Sequence, residues 1–262
     1  MTCAFRKLLL LVTLSLTVSV SSPHGSAADS FKLEEGYTLL FNRKDLTGWE
    51  LGFCPPGTRP NDEKLDGKTV SKDKTFEVVD GLLIASGKGL RGAYTTREFN
   101  KDFHLKFEFR TPADNKKNNS GLFIRGPQLQ LDGTSEGGLT NVFKNLKNFK
   151  EGDWNEIEVT VTGGIISNSV NGKALTAKDV LEVTVKDGKP TAKLNGQVIE
   201  VGSIQCSVSA EAVCKCNGER IGKPMRIPAT GVIGLQSEIG KFEFRRIRIK
   251  EQQPAEVSSP SR

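Results

Sequence analysis

Long helical repeats are missing from this sequence. Only LTNVFKNLKNF has the spacing for even a short amphipathic helix, so a helix-dominated fold is excluded. Long apolar runs are missing too, apart from one at the N-terminus, and no later segment is expected to insert in a membrane as a helix. Histidine is scarce, with two in 262 residues, and there are five cysteines. No spacing among these residues supplies a clear ligand cluster, so no metal or cofactor is called for, although a divalent cation is left open. Basic residues are scattered among acidic ones, without a one-sided stripe or interleaved aromatics, which argues against nucleic acid as a partner.

The N-terminal run does have a pattern. Arg6 and Lys7 precede apolar residues from Leu8 to Val20, followed by small residues at Ser26, Ala27 and Ala28. That is the layout of a secretory signal peptide over residues 1–28, and the expectation is an exported chain, periplasmic or extracellular. The remainder carries 35 basic and 31 acidic residues, a mild +4. At about 230 residues it is long enough to bury a core as one domain over 29–250, with 251–262 a disordered tail. Cys54, Cys206, Cys214 and Cys216 remain and allow three pairings. The segment CSVSAEAVCKC reads as a hairpin turning near Ala210, which would set Cys206 opposite Cys214.

What the sequence has in abundance is alternation with a period of two. TFEVVDGLLIAS reads as two strands around an Asp80-Gly81 turn. FHLKFEFR sends Phe103, Leu105, Phe107 and Phe109 to one face and His104, Lys106, Glu108 and Arg110 to the other. NEIEVTVTGGIISNSVNGKAL reads as two strands joined at Gly163-Gly164, with a turn at Asn171-Gly172. It resembles IQCSVSAEAVCKCNGERI, and the two are expected to be similar hairpins. In KFEFRRIRIK the alternation slips between Phe244 and Ile247, the mark of a bulge that re-aims an arginine. Many short strands with Gly-rich turns predict an all-β antiparallel sandwich or barrel.

One stretch, NSGLFIRGPQLQLDG, bears on function. Leu122 and Ile124 oppose Phe123 and Arg125, and Leu129 and Leu131 oppose a polar row of Gln128, Gln130 and Asp132. In GVIGLQ, burying Ile233 and Leu235 turns Gln236 outward. Amide, guanidinium and carboxylate groups together offer the donors and acceptors that sugar hydroxyls need.

Four motifs in order, GYTLLFNRKDLTGWE, NSGLFIRG, GDWNEIEVTVTGGIISNSVNGKAL and GVIGLQSEIGKFEFRRIRIKE, resemble the 3-keto-disaccharide hydrolase domain family over roughly Gly36 to Lys250. Members are also described as 3-keto-α-glucoside 1,2-lyases and 3-keto-2-hydroxy-glucal hydratases. The resemblance implies a concanavalin A-like jelly-roll sandwich with an oligosaccharide or 3-keto-glycoside on its concave face. It also implies removal of the acidic C2 proton beside a C3 ketone, with no redox cofactor for that step. Residues 179–228 look like an insertion, and QLQLD stands where the family carries Glu-Val-Gln-Ile-x-Asp, so Gln128 replaces a glutamate.

With that resemblance, His104, Glu108, Arg110, Arg125, Gln128, Gln130, Asp132 and Gln236 are expected on a single ligand face. Glu108 and Asp132 would move the proton, and Arg110 or Arg125 would stabilise the developing oxyanion. Trp49 is either a stacking platform for a sugar ring or a core residue. The alternative is a carbohydrate-binding sandwich that kept the face and lost the acid.

Overall fold

The computed structural model describes residues 31–60, 62–112, 117–131, 143, 145–176, 178–186, 189–200 and 203–252. The chain divides into two units, Met1–Leu33 and Glu34–Arg262. In the first, residues 31–33 are described and form neither helix nor strand. The signal peptide, Asp132, residues 139–142 and 144 of the LTNVFKNLKNF segment and the tail from 253 lie outside the described residues.

All regular structure in the described residues is β. In chain order the strands are β1 (Thr38–Leu39), β2 (Trp49–Phe53), β3 (Glu63–Lys64), β4 (Phe76–Val79), β5 (Leu82–Ala85), β6 (Lys88–Thr95), β7 (Phe103–Arg110), β8 (Ser120–Ile124), β9 (Gln128–Leu131) and β10 (Asn155–Val170). There follow β11 (Lys173–Ala174), β12 (Leu181–Lys186), β13 (Lys189–Leu194), β14 (Gln197–Ile199), β15 (Ile204–Cys216), β16 (Glu219–Arg220), β17 (Met225–Pro228), β18 (Ile233–Ile239) and β19 (Phe242–Glu251).

Two sheets enclose the core. A ten-stranded sheet runs β16-β15-β10-β7-β19-β5-β4, with β1, β11 and β17 on its flanks, and a six-stranded sheet runs β3-β2-β6-β18-β8-β9. The expected inward row Phe103, Leu105, Phe107 and Phe109 packs from the first against Leu51, Ala93, Leu122, Leu129 and Leu235 from the second, in one continuous apolar cluster. Trp49 belongs to this core. It is fully buried, and its indole N–H donates to the Leu40 carbonyl at 2.8 Å. The stacking role is therefore corrected: alternation along β2 points Trp49 and Leu51 inward and turns Glu50 out.

Local chemistry explains the turns. Asp80-Gly81, Asn171-Gly172, Asn195-Gly196 and Asn217-Gly218 each join two strands with both residues at positive φ, the conformation a two-residue hairpin needs to match strand twist. Gly163-Gly164, in contrast, makes no hairpin. β10 continues through it for sixteen residues, absorbing the glycines as a bulge between Thr162 and Ile165. Likewise β15 runs straight past Ala210, so the two similar segments are partners rather than two hairpins: they pair antiparallel from Ile157↔Cys216 to Val170↔Ile204. Part of the expected insertion, Leu181–Ile199, forms its own sheet β12-β13-β14, while β15 to β17 are strands of the main sheet.

The cysteine pairing is corrected by the same geometry. Cys206 and Cys214 sit eight residues apart on one strand, which at ~3.3 Å per residue places them ~26 Å apart, beyond the ~7 Å a bridge tolerates. All four cysteines are free. Burial pushes the Cys214 and Cys216 thiols up to about 12, whereas Cys206 is exposed. Alkylation of the native chain should therefore label Cys206 promptly and Cys214 and Cys216 only after unfolding, and a reducing agent should leave the thermal midpoint unchanged. A midpoint that drops on reduction would contradict the free-thiol assignment.

Candidate functional site

The outer face of the six-stranded sheet is assembled in rungs. Register places Glu50 beside Tyr94, Tyr94 beside Gly234, Gly234 beside Phe123 and Phe123 beside Gln128. One pleat along, Gly52 faces Gly92, Gly92 faces Gln236 and Gly121 faces Gln130. Tyr94 and Phe123 are 1% and 2% exposed although they point away from the core, with ring centroids 5.8 Å apart.

The glycines explain how so large a ring is buried there. A Cβ at Gly92 or Gly234 would overlap the Tyr94 ring, and one at Gly121 would overlap the Gln128 amide. Both side chains thus lie flat on bare backbone, the situation that glycine inside a strand often marks. The Tyr94 hydroxyl donates to the Phe53 carbonyl at 2.9 Å and lies 3.2 Å from the Cys54 thiol. Burial raises the pKa of the phenol and of the thiol. Gly234→Ala should cost ~1–3 kcal/mol by overpacking. In a Tyr94→Ala background most of that cost should vanish, a coupling readable from urea unfolding of the four chains. Additive losses would mean that the ring is not seated on Gly234.

Polar groups on this face form two hydrogen-bonded amide pairs. Gln128 Nε2 donates to Gln236 Oε1 at 2.6 Å, Gln130 Nε2 donates to Asn119 Oδ1, and the Gln236 and Asn119 side chains lie near enough to the Glu238 carboxylate to lower its pKa. An amide has one acceptor and one donor group, so each oxygen used as acceptor leaves its nitrogen to pass the bond onward. Two hydrogen-bonded amide pairs thus end beside Glu238. Burial raises the pKa of this carboxyl, and the Gln236 and Asn119 amides oppose the rise.

Arg125 closes one end of the face. A left-handed φ of 53° ends β8 there, and the guanidinium, 3% exposed, donates to the Lys101 carbonyl at 2.5 Å and lies 5.3 Å over the Phe103 ring. Its Nε is buried without a hydrogen-bond partner among the described residues. With Glu50, Tyr94, Glu98 and Gly231 it lines a cavity of about 370 Å³.

Of the expected ligand face, then, Gln128, Gln130 and Gln236 come together, with Arg125 at the rim. His104, Glu108 and Arg110 do not. They lie on β7 of the ten-stranded sheet, whose outward side is the opposite surface of the sandwich. There Glu108 accepts from Arg245 at 2.6 Å and Arg246 at 2.5 Å, because the β19 bulge and the positive φ of Arg246 aim both arginines at it. Arg110 pairs with Glu243 at 2.6 Å, and Trp154 packs against the guanidiniums of Arg110 and Arg245 at 4.6 and 3.9 Å. The His104 ring is held by Thr160 and Gln252. The single-face expectation fails because alternation tells which residues face outward but not which sheet a strand joins. Tyr94, Asn119 and Glu238 were missed; the interior glycines of RGAYT and NSGLF were the available signal.

Among the described residues no group of three acidic, histidine or cysteine side chains is placed to hold a metal ion, and no helix is long and apolar enough to cross a membrane.

The architecture is that of an antiparallel two-sheet β-sandwich. The 3-keto-alpha-glucoside-1,2-lyase-like domain family matches residues 36–250, and the chain belongs to that family. Solved structures similar to it include two proteins of Parabacteroides distasonis ATCC 8503, provisionally classed as glycosyl hydrolases. One is 20% identical with a TM-score of 0.43, over 84% of this chain and 95% of that one. The other is 16% identical with a TM-score of 0.42, over 82% and 99%. The carbohydrate binding module CBM66 from Bacillus subtilis is 9% identical with a TM-score of 0.31, over 79% and 96%. Among curated proteins, none matches the chain.

Proposed function

We propose that this chain is an exported enzyme that eliminates or hydrates 3-keto-glycosides, with Glu238 as the base that removes the C2 proton. The observation that carries this reading is the pair of amide hydrogen bonds, Gln128 to Gln236 and Gln130 to Asn119, that end beside one part-buried carboxylate, Glu238. A base of raised pKa keeps more affinity for the proton it must take. The C3 ketone accepts the electron pair left at C2 as an enolate; the C1–O bond then breaks and the leaving oxygen takes a proton from water. Addition of water across C1=C2, with C2 protonated by Glu238 after its acquired proton has exchanged with solvent, completes a net hydrolysis. Gln128, in the position of the expected glutamate, serves recognition: its carbonyl oxygen, with no partner among the described residues, is left to accept from a hydroxyl. Export rests on the N-terminal pattern alone.

That same glutamine favours a second reading, a carbohydrate-binding sandwich without turnover. Product analysis of the mature protein with a panel of 3-keto-disaccharides separates the two. Release of monosaccharide or of the 2-hydroxy-glucal supports the enzyme; binding without product supports the lectin-like reading.

A further inference from the structure

Beside the Glu238 end of the face lies a second cleft, of about 510 Å³, among whose lining residues are three cations and no anion. Arg91 is already neutralised, its Nε 2.9 Å from Asp73 and its Nη2 2.9 Å from Asp62. Arg59 and Lys88 have no carboxylate partner among the described residues. The Arg59 guanidinium is held 4.9 Å from the centre of the Phe53 ring, which Arg91 also contacts at 4.2 Å. Lys88 opens β6 directly across from Ile239, the residue after Glu238. Cys54 joins the cleft to the sugar face, since it lines the former and touches the Tyr94 hydroxyl. It is also near enough to Glu238 for that charge to raise its thiol pKa. Leu90, 55% exposed, adds an apolar wall.

We propose that this cleft binds a negatively charged group, a carboxylate or sulfate, carried by the unit attached to the sugar that Glu238 attacks. Two uncompensated cations beside an apolar wall suit an acidic ring, whether an aromatic aglycone or an acidic sugar: the ring covers Leu90 and the charge meets Arg59 and Lys88. The proposal deepens the functional reading above and rests on the same face being the sugar site.

Calorimetric titration of the mature protein with paired ligands tests it. 4-Carboxyphenyl glucoside against phenyl glucoside probes the aglycone, and a glucuronyl-glucose against the matching neutral disaccharide probes an acidic sugar. At low salt at least one acid should bind roughly tenfold tighter than its neutral partner. That advantage should shrink toward 1 M salt, where screening acts over ~3 Å, and fall to about one in the Arg59→Gln, Lys88→Gln double variant. Neutral and acidic ligands binding equally would overturn the anion subsite while keeping the sugar face, as would an advantage that survives the double variant. An acid advantage without turnover of any 3-keto-glycoside would keep the subsite and remove the catalytic reading. Binding of no ligand would overturn both.

Discussion

Glu238→Gln should lower turnover of a 3-keto-glucoside by about 10²–10⁴-fold, the usual contribution of a general base, while the thermal midpoint stays within a few degrees of the parent. The second half follows from the sign of the pKa shift. Burial raises the carboxyl of Glu238 in the folded chain, so folding favours its protonated form. Any stability it contributes is present below the unfolded-state carboxylate range and is lost as pH rises through the folded value. At neutral pH the ionised group therefore opposes folding, and a neutral glutamine of the same shape removes that cost. The Gln236 and Asn119 amides also keep an acceptor beside them. Loss of turnover with an intact melting curve is the signature of a functional group maintained at the expense of stability. An equally active variant would remove Glu238 from the chemistry.

Glu108→Gln should do the opposite. Its carboxylate is 11% exposed and is shared by two arginine side chains that are 25% and 22% exposed. Removing it takes away the carboxylate that both arginines share, which costs ~3–5 kcal/mol at a fully buried site and about 2–3 kcal/mol here, where water screens part of the charge. For a chain of this size that lowers the midpoint by roughly 5–10 °C. Because Glu108 lies on the other sheet from Gln128 and Glu238, activity measured well below the transition should be nearly unchanged. A variant that melts like the parent but fails to turn over substrate would return Glu108 to the site. The two glutamines thus separate, in one pair of proteins, the carboxylate that holds the fold from the one proposed to act.

Much of the fold was legible because period-two alternation and Asn-Gly turns are local signals. Phe103 to Phe109, the Asp80-Gly81 hairpin and the slip before Ile247 all read directly from neighbouring residues. The same turn logic misread Gly163-Gly164 and the Ala210 region, where glycine or alanine inside a long paired strand costs less than breaking twelve cross-strand pairs would. The site was half legible. Gln128, Gln130 and Gln236 could be assigned an outward direction, but joining them to Glu108 required knowing that β7 and β9 lie in different sheets, a fact set by long-range pairing. Glu238 was hidden by the irregularity in β18 between Ser237 and Ile239, which obscures the alternation that would have marked it. Tyr94 was hidden by its burial: a ring lying on glycines has no period of its own.

The most direct test of Glu238 as the base follows the C2 proton itself. With a 3-keto-glucoside in D₂O, proton NMR reads whether deuterium appears at C2 of recovered substrate or product. The wild-type chain should introduce it far faster than buffer does, and Glu238→Gln should fall back to the buffer rate while Glu108→Gln retains the wild-type rate at low temperature. Undiminished exchange in Glu238→Gln, or cleavage that leaves the original C2 hydrogen in place, would contradict proton abstraction by this carboxylate.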